Sequence, residues 1–563
     1  MSTPEDDFAA YQKEQAKAAK LREQMEAMNP DELAAFREWR ATRDKPVPPQ
    51  RAAPAKGEGG GRGPSIADQL IAMADQRYEF GNSDSGDLYA VPKDGPRIAR
   101  LLRGGRISLR AELARMYYGL HGKAASSSAL ADAMLAIEGR AQAEDPVSLH
   151  LRVAPLGKRA EDGFVLDLGR ADGLVVTVTT KGWTVGQPTR EQPLFRRSQL
   201  TQPLPLPEGG GHLRELRGLL NCTDESWPLL ISWLVAGMVP DIPHPLLFVS
   251  GEQGTAKSTA TKMLVKLLDP SAAPARSTPK DPDDWATAAV GSWVVGLDNL
   301  SRIPEWLSDA MCRAATGDAN VKRTLYSDSD VTVQEFRRVL IVNGIDVGTL
   351  RGDLADRMIP VHLHRITQRR TETALWEAYD EAQPRILGAL LDLIVATLSK
   401  LGEVREKADR GEIPLPRMAD YGLIMAALDQ VSGHSSSILT DYLSQRTELA
   451  EEVVESNQVA SKLLTMMKTK TLVDGKAVWE GTAAELLDQL TTEMPGNIPD
   501  KWPRTAGALS GRINRVASDL DKLGLDITRN KTNGVKTLTM TYTPRTAPQD
   551  QPAPEHVQEL LLT

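Results

Sequence analysis

The sequence has few of the features that would place a protein outside the cell or in a membrane. It holds two cysteines, Cys222 and Cys312, whose separation fits neither a disulfide framework nor a metal site. The most apolar run, residues 227–239, is roughly half as long as a bilayer-spanning helix. The N-terminus is acidic and polar, unlike a secretory signal. These absences predict a reduced, intracellular protein without a membrane role.

The sequence also lacks a strong excess of positive or negative charge. The chain has 67 Lys and Arg residues against 75 Asp and Glu residues, a net charge of −8. A nucleic-acid partner would therefore have to be recognised by local basic patches. The length of 563 residues predicts roughly three to five domains.

Composition divides the chain into successive segments. Residues 1–64 predict an exposed helical arm and a flexible Pro/Gly-rich linker. Residues 65–146 predict a mostly helical domain with one strand-like piece, "GDLYAVP". Residues 147–213 predict a small β-rich unit and a second linker, because β-branched and polar residues alternate between glycines. We expect the tail, residues 546–563, to be disordered.

The second half of the chain begins with alternating patterns. Residues 214–370 alternate helix and strand patterns, which is typical of an α/β nucleotide-binding core. Residues 371–460 predict helices. Residues 461–545 predict three helices followed by a two-stranded hairpin.

A glycine-containing loop lies between a predicted strand, "PLLFVSG", and a predicted helix, "KSTATKMLVKLL". Backbone N–H groups in such a loop, with the positive end of the helix, bind phosphates. Gly251 and Gly254 allow the tight bends. The residues expected around a bound nucleotide are Gly251, Glu252, Gln253, Gly254, Thr255, Ala256, Lys257, Ser258 and Thr259.

Three residues of this loop have specific expected roles. Lys257 would reach the β- and γ-phosphate oxygens, and Ser258 would ligate Mg²⁺. Ala256 stands where the usual motif has its last glycine, and we expect it in the right-handed helical conformation of a first turn. The loop therefore predicts a site for a nucleoside triphosphate with Mg²⁺.

A second predicted strand, "SWVVGL", ends at an acidic residue. Asp298 would orient the Mg²⁺ and its water. Many ATPases have a catalytic Glu at the next position, where this chain has Asn299. Asn299 could orient the attacking water, or Glu305 could serve, and the sequence leaves both open.

Two further patterns follow in the order expected of a ring ATPase. The predicted strand "RRVLIVNGI" contains Asn343, a polar residue placed to sense the γ-phosphate. Arg351 and Arg357 precede a final apolar strand. An arginine at this place commonly completes the site of a neighbouring subunit.

The succession of "GEQGTAKST", "VVGLDN", "TGDANVKRTLYSD", "RRVLIVNG" and "LADR" resembles the superfamily 3 helicase branch of AAA+ ATPases. Its likeness is to the phage- and plasmid-type helicase domains that accompany primases, and it covers residues 214–370. The resemblance implies an α/β AAA+ P-loop core with a helical lid, preceded by an α+β N-terminal region. It also implies ATP and Mg²⁺ as cofactors, and a homo-oligomeric ring, a hexamer, that hydrolyses ATP at subunit interfaces.

The same resemblance implies individual roles and a location. Lys257 and Ser258 contact phosphate and Mg²⁺, Asp298 is the second Mg²⁺ contact, and Asn343 is the sensor. Arg357, or else Arg351, is the arginine finger. A DNA-replication protein of a phage or mobile element would work in the cytoplasm of a bacterium or a phage-infected host.

One hairpin departs from the family. It has Asp328-Ser329 at its expected tip, where relatives place a basic residue in the pore, and Lys322 and Arg323 at its base.

The C-terminal segment predicts a winged helix, because its helices precede a hairpin with the turn Asn533-Gly534. The helix "RTAGALSGRINRVASDLDKLGL" has an apolar stripe, and Lys522 is expected on its polar face. Basic side chains on the helix and wing would contact phosphates and bases. The residues expected to contact DNA, including the base of the core hairpin, are Lys322, Arg323, Arg504, Arg512, Arg515, Arg529, Lys531 and Lys536.

These patterns favour an ATP-dependent, ring-forming DNA helicase or replication-initiation ATPase. An ATP-gated loader or regulator that assembles on DNA without unwinding it is the alternative. A scaffold with a structural nucleotide is a more distant one. DNA, single-stranded or forked, and a primase or another replication protein are the expected partners.

Overall fold

The computed structural model describes residues 64–104, 108–323, 331–344, 352–366, 369–432, 437–492, 499, 502–532 and 535–544. The predicted arm and the predicted tail lie outside the described residues. From Ser65 onward the chain forms one compact unit.

The N-terminal part of this unit contains more strands than its sequence predicts. Helix α1 begins at a capping box, in which Ser65 and Asp68 bond each other's backbone N–H groups. One strand was expected, but three form an antiparallel meander, because polar residues in the first strand hide its pattern. The elements are α1 (Ile66–Arg77), β1 (Tyr78–Ser83), β2 (Leu88–Pro92), β3 (Ile98–Leu101), α2 (Leu109–His121) and α3 (Ser127–Gln142).

The next segment is rich in β-structure, as its alternating pattern indicates. Its strands are β4 (Pro146–Val147), β5 (Leu149–His150), β6 (Val153–Pro155), β7 (Phe164–Asp167), β8 (Val175–Thr179), β9 (Gly182–Gly186) and β10 (Leu194–Arg196). Strands β6 to β9 form an antiparallel sheet. The short strands extend the preceding sheet to the order β4-β1-β2-β3-β10-β5. One sheet therefore crosses the predicted boundary after residue 146, through pairings such as Phe195 with Ile98 that no local pattern reveals.

The middle of the chain is an α/β layer structure around a parallel sheet of order β12-β15-β11-β16. Its strands are almost wholly buried, as expected when helices cover both faces. The elements are α4 (Leu213–Arg217), α5 (Trp227–Met238), β11 (Leu246–Ser250), α6 (Lys257–Leu268), α7 (Pro282–Val290), β12 (Val294–Leu297), α8 (Glu305–Thr316), β13 (Asp318–Arg323), β14 (Val331–Phe336), β15 (Val339–Asn343), α9 (Gly352–Ala355) and β16 (Met358–His362).

Each face of this parallel sheet packs into its own core. One face packs with α5 and α6 and reaches the following long helix. The opposite face packs with α7 and α8. This arrangement brings the carboxyl ends of β11, β12, β15 and β16 to one edge, where ligands of such sheets bind.

The remaining residues form helices and then a small mixed unit. They comprise α10 (Glu372–Asp409), α11 (Ala419–Ser432), α12 (Ile438–Ser456), α13 (Gln458–Lys468), β17 (Ala477–Thr482), α14 (Ala483–Thr492), α15 (Ala506–Lys522), β18 (Leu525–Thr532) and β19 (Val535–Tyr542). The predicted hairpin is present as β18 and β19. Strand β17 was not expected, and it makes the sheet order β17-β19-β18. Helix α15 buries its predicted stripe of Leu509, Ile513, Val516 and Leu520.

Within the described ranges, no helix combines the length and apolar character needed to cross a membrane. The apolar run at residues 227–239 is helix α5 and lies in the core.

Candidate nucleotide-binding site

The β11–α6 loop, residues 251–256, lies at the carboxyl edge of the parallel sheet. Its two glycines adopt positive φ angles, 145° at Gly251 and 87° at Gly254. A Cβ atom on Gly251 would lie 2.8 Å from the Thr255 hydroxyl and 2.9 Å from the Leu363 carbonyl oxygen. Residues 251–254 are exposed. The bends that the sequence assigns to these glycines are therefore confirmed.

The conformation predicted for Ala256 is wrong. Ala256 has φ 60° and ψ 36°, in the left-handed region, instead of the right-handed helical one. It precedes the first helical residue, and its carbonyl accepts the first helical hydrogen bond, from Ala260 at 2.9 Å. The chain must turn sharply there to enter α6. A residue with a Cβ atom pays about 1–2 kcal/mol for this conformation, which explains why the usual motif has glycine there.

Lys257 lies across the mouth of the loop. Its Nζ donates to the carbonyl oxygens of Gly251 at 2.7 Å and Glu252 at 2.9 Å. The Thr255 hydroxyl also donates to the Glu252 oxygen, at 3.0 Å. An ammonium group at this place faces the N-terminal end of α6, where phosphates bind.

The structure brings together Ser258, in the helix after β11, and Asp298, just after β12, although these two strands are not neighbours in the sheet. The Ser258 hydroxyl donates to Oδ1 of Asp298 at 2.7 Å. The backbone N–H of Asp298 is itself held by the Arg276 carbonyl, at 2.8 Å. A hydroxyl and a carboxylate are hard oxygen ligands of the kind that Mg²⁺ takes, together with phosphate oxygens and waters. Among the described residues there is no cluster of three or more His, Cys, Asp or Glu side chains that could hold a metal ion alone.

Asn343 lies between these two elements and is buried, with 2% of its surface exposed. Its Oδ1 accepts the backbone N–H of Asn299 at 2.8 Å, and its Nδ2 donates to the Thr261 hydroxyl at 2.9 Å. Asn299 is exposed and has φ 56°. Glu305 is exposed at the first position of α8.

Three residues near the loop, Asn221, Ser250 and His362, were not identified from the sequence. Nδ2 of Asn221 donates to the Thr255 carbonyl at 3.2 Å and also to the His364 carbonyl. A 2.7 Å hydrogen bond joins the Ser250 hydroxyl to Nδ1 of His362. His362 ends β16, the strand beside β11, so the rule that parallel strands end at one edge could have found it. Asn221 carries no comparable local signal.

Of the two predicted arginine fingers, Arg351 lies outside the described residues and Arg357 is buried. Arg357 is 8% exposed. Its Nη1 donates to the Asp353 carbonyl and pairs with the Asp353 carboxylate, both at 2.7 Å. Asp353 also pairs with Arg417 at 2.8 Å. Arg357 would have to leave Asp353 to reach a neighbouring subunit.

Asp356, next to Arg357, is the centre of a group of polar side chains that we call the Asp356 cluster. Its members are Asp356, Arg417, Ser518, Asp519 and Lys522. Asp356, 2% exposed, accepts the Ser518 hydroxyl at 2.9 Å and pairs with Lys522. Lys522 also pairs with Asp519 at 3.1 Å, and Arg417 lies 3.5 Å from Asp356. The cluster joins the C-terminal unit to the turn before β16.

The expectation that Lys522 lies on an exposed face of α15 is wrong. Its side chain is 17% exposed. Burial lowers the pKa of Lys522 to about 8. The helical spacing of the sequence could not show this, because the face that buries Lys522 belongs to residues far earlier in the chain.

The other basic residues expected to contact DNA are placed as follows. Arg504, Arg515, Arg529 and Lys536 are exposed, and Arg512 is half-buried. Lys322 and Arg323 end β13, and Lys531 lies opposite Lys536 in the β18–β19 ladder. The predicted hairpin tip Asp328-Ser329 and the turn Asn533-Gly534 lie outside the described residues.

Two regions of the chain are similar to replication proteins. Residues 213–452 match the family model of the actinomycete integrative conjugative element replication protein. Residues 459–553 match the model of the C-terminal domain of the RepA protein of the same elements. Both matches support a role in replication.

Comparison with individual proteins is less informative. No curated protein matches the chain. An apo structure of the NrS-1 C-terminal region has 12% identity and a TM-score of 0.36, and the match covers 85% of this chain and 99% of that one. A JCV helicase with a bound small molecule has 10% identity and a TM-score of 0.23, with 43% of this chain and 64% of that one covered. Such scores are too low to establish a shared fold.

Proposed function

We propose that the protein is an ATPase of DNA replication that binds ATP with Mg²⁺ at the β11–α6 loop. Hydrolysis drives its translocation on DNA or the melting of DNA, as in a superfamily 3-type helicase or a replication-initiation ATPase. The observation that carries the proposal is the 2.7 Å contact between the Ser258 hydroxyl and Asp298. The two side chains would supply two oxygen ligands for Mg²⁺ beside the N-terminal end of α6, where the phosphates would bind.

The side chains of the loop support this chemistry. Lys257 would exchange the carbonyls of Gly251 and Glu252 for the β- and γ-phosphate oxygens. Ser258 and Asp298 would hold Mg²⁺ beside the phosphates, and the ion would supply positive charge that favours phosphoryl transfer. The parallel sheet, its two helical layers and the helices that follow support an AAA+ core with a helical lid.

DNA would bind at the C-terminal unit. The order helix, strand, helix, helix, strand, strand from α13 to β19 supports a winged helix. Its exposed arginines, Arg504, Arg515 and Arg529, would contact phosphates and bases, together with Lys536 on the second hairpin strand. The last turns of α15 contact the core through Ser518 and Lys522, so the preceding part of the helix is the part available to DNA.

The assembly would be a ring, a hexamer, with ATP at the subunit interfaces and a primase or another replication protein as partner. Arg357 or Arg351 would stabilise transition-state charge in the neighbouring subunit. For Arg357 this requires release from Asp353. The protein would work in the bacterial cytoplasm.

An ATP-gated loader or regulator, which assembles on DNA without unwinding it, is the second candidate. Asn299 favours it, because an amide at this position cannot act as a general base on water. Such a protein would bind ATP and hydrolyse it slowly.

The first experiment compares the whole protein with Lys257→Ala in DNA-stimulated ATP hydrolysis and in DNA binding. We expect hydrolysis to be lost and DNA binding to be kept, because Lys257 lies at the nucleotide loop and not in the C-terminal unit. Lys262→Ala, on the same helix, is the matched control and should retain activity. A wild-type protein without ATPase activity would refute the proposal.

A strand-displacement assay on forked DNA then separates the two candidates. A helicase displaces the strand in an ATP-dependent way, and the Lys257→Ala protein does not. A loader or regulator hydrolyses ATP and binds the fork but leaves the duplex intact.

A further inference from the structure

We propose that Asn343 is a positioning residue that holds the backbone of Asn299 in the left-handed conformation, and that this turn aims Asp298 at Ser258. In this account Asn299 matters for its backbone and not for its exposed side chain. The inference rests on the proposed ATPase function and assigns Asn343 a role other than γ-phosphate sensor.

Two consecutive residues, Asn343 at the end of β15 and Gly344 after it, contact the backbone at Asn299 and Leu300. Oδ1 of Asn343 accepts the N–H of Asn299 at 2.8 Å, and the carbonyl of Asn343 accepts the N–H of Leu300 at 3.0 Å. Gly344 follows at φ 84°, so close that a Cβ atom there would lie 2.8 Å from Cα of Asn299. Two hydrogen bonds and one close backbone contact therefore fix the turn that follows β12.

The other end of the same amide reaches the helix that begins at the nucleotide loop. Nδ2 of Asn343 donates at 2.9 Å to the hydroxyl of Thr261, which is fully buried. Thr261 lies three residues after Ser258, on the same face of α6. One buried amide thus links the two elements that carry Ser258 and Asp298. Because Asn343 is 2% exposed and bonded at both ends, contact with a phosphate would require it to give up this link.

The residue type at position 299 follows from its backbone conformation. Asn299 has φ 56°. Among residues with a Cβ atom, Asn and Asp visit the left-handed region with least cost, whereas Glu and Ala are disfavoured there. A Glu at this position would have to strain the turn or abandon it. The absence of the usual Glu is therefore a consequence of this backbone geometry.

The turn affects the position of Asp298 because the backbone N–H groups of this residue and of the next one are both hydrogen-bonded. Its own N–H is bonded to the Arg276 carbonyl at 2.8 Å, and the next N–H, that of Asn299, is bonded to Asn343. With both peptide units fixed, the carboxylate lies 2.7 Å from the Ser258 hydroxyl. A looser turn would misplace the carboxylate that contacts Mg²⁺.

The experiment compares Asn299→Gly, Asn299→Ala and Asn343→Ala in the full chain, with kcat, KM for ATP and the Mg²⁺ dependence of hydrolysis measured. Glycine keeps the left-handed turn without a side chain, and alanine removes the side chain and disfavours the turn. We expect Asn299→Gly to retain much more activity than Asn299→Ala. Asn299→Ala should lose about tenfold in kcat and need more Mg²⁺, because the cost of the left-handed turn corresponds to about that factor. Asn343→Ala should lose a similar factor, because it removes the acceptor of the Asn299 N–H and the donor to Thr261.

The double variant Asn299→Ala/Asn343→Ala tests whether the two residues act together. We expect it to be about as active as either single variant, because the turn is already lost in each. Equal loss in Asn299→Gly and Asn299→Ala would overturn the inference, since the side chain would then be what acts. Multiplied losses in the double variant would also overturn it and favour an independent sensor.

Thermal unfolding tests the turn independently of hydrolysis. Asn299→Gly should be more stable than Asn299→Ala, the reverse of the order at ordinary positions. If wild-type protein hydrolyses no ATP, the proposed function fails, and this comparison still tests the turn. If Asn299→Gly is the less stable variant, the inference fails whatever the activity.

Discussion

Two residues at the candidate site adopt left-handed backbone conformations although they carry Cβ atoms. Ala256 has φ 60° and Asn299 has φ 56°. Asparagine tolerates this region, but alanine does so only at a cost of about 1–2 kcal/mol. Strain of this kind persists where the surrounding structure determines the conformation, and it clusters at functional sites.

The first prediction is that Ala256→Gly stabilises the protein. The change removes about 1–2 kcal/mol of left-handed strain and adds about 0.5–1 kcal/mol of unfolded-state entropy, so a gain of about 0.5–1 kcal/mol is expected. Chemical unfolding followed by circular dichroism measures it. Ala260→Gly, in the same helix, is the control and should lose about 1 kcal/mol. Destabilisation of both variants alike would contradict the observed backbone conformation.

From the buried side chain of His244 we predict that the protein loses stability at acid pH. The pKa of His244 is lowered to about 3, mainly by burial and in part by the nearby Arg337 and Arg338. Its ring packs edge-on against Trp293, with centroids 5.3 Å apart. The unfolded imidazole titrates near its ordinary pKa of about 6.5. As pH falls from about 6.5 towards 3, the unfolded state binds a proton that the folded state does not, and stability falls.

We therefore expect His244→Phe to be less sensitive to acid than wild type. At pH 5 the histidine costs about 2 kcal/mol, which is about 1.4 kcal/mol per pH unit over the interval below pH 6.5. Melting temperatures at pH 7.5 and pH 5 measure the difference, and phenylalanine keeps a ring against Trp293. His212→Phe, at an exposed position, should change nothing. An identical acid response in all three proteins would exclude the assigned cause.

At the level of elements, sequence reasoning succeeded where the signal is local. The strand before the loop and the helix after it occupy Leu246–Ser250 and Lys257–Leu268, as their apolar patterns predict. Strand β17 was missed because its sequence, "AVWEGT", alternates over only a few residues, and its pairing partner β19 lies far along the chain.

At the candidate site, too, the sequence predicts local features but not contacts between distant segments. Ser258 and Asp298 could be predicted because each follows a strand–loop signal. The bonds of Asn343 could not, since they join residues 44 and 82 positions apart. The Asp356–Ser518 contact spans 162 positions. Burial of a polar side chain against a distant element leaves no pattern in its neighbours.

The exposed arginines of the C-terminal unit lead to a prediction about DNA binding by this unit. Arg515→Ala and Arg529→Ala should each weaken DNA binding and lower the slope of log affinity against log salt concentration by about 1, because each removes one phosphate contact. Fluorescence anisotropy with labelled duplex, over a series of salt concentrations, measures both quantities. Arg110→Ala, an exposed arginine on α2, is the control. Unchanged slopes would place DNA elsewhere on the protein.

For the whole molecule, the Asp356 cluster is a buried polar contact between the C-terminal unit and the core. Lys522→Met should destabilise the protein by about 3 kcal/mol, because it removes the cation that contacts both buried carboxylates. Asp356 and Asp519 are 2% and 0% exposed. Denaturant unfolding measures the loss. Lys468→Met, an exposed lysine on α13, should stay within about 0.5 kcal/mol of wild type. An equally small loss for Lys522→Met would show that the cluster contributes no stability.

The Asp356 cluster also has a consequence for the exchange of the C-terminal unit between related proteins. The two family matches leave a gap between residues 452 and 459, which we call the seam. Asp356 lies on one side of it and Lys522 on the other, and they are partners in the interior. A C-terminal unit exchanged at the seam would therefore keep this contact only if it brought a matching cation. The two regions match separate family models, but the chain from Ser65 onward forms one compact unit.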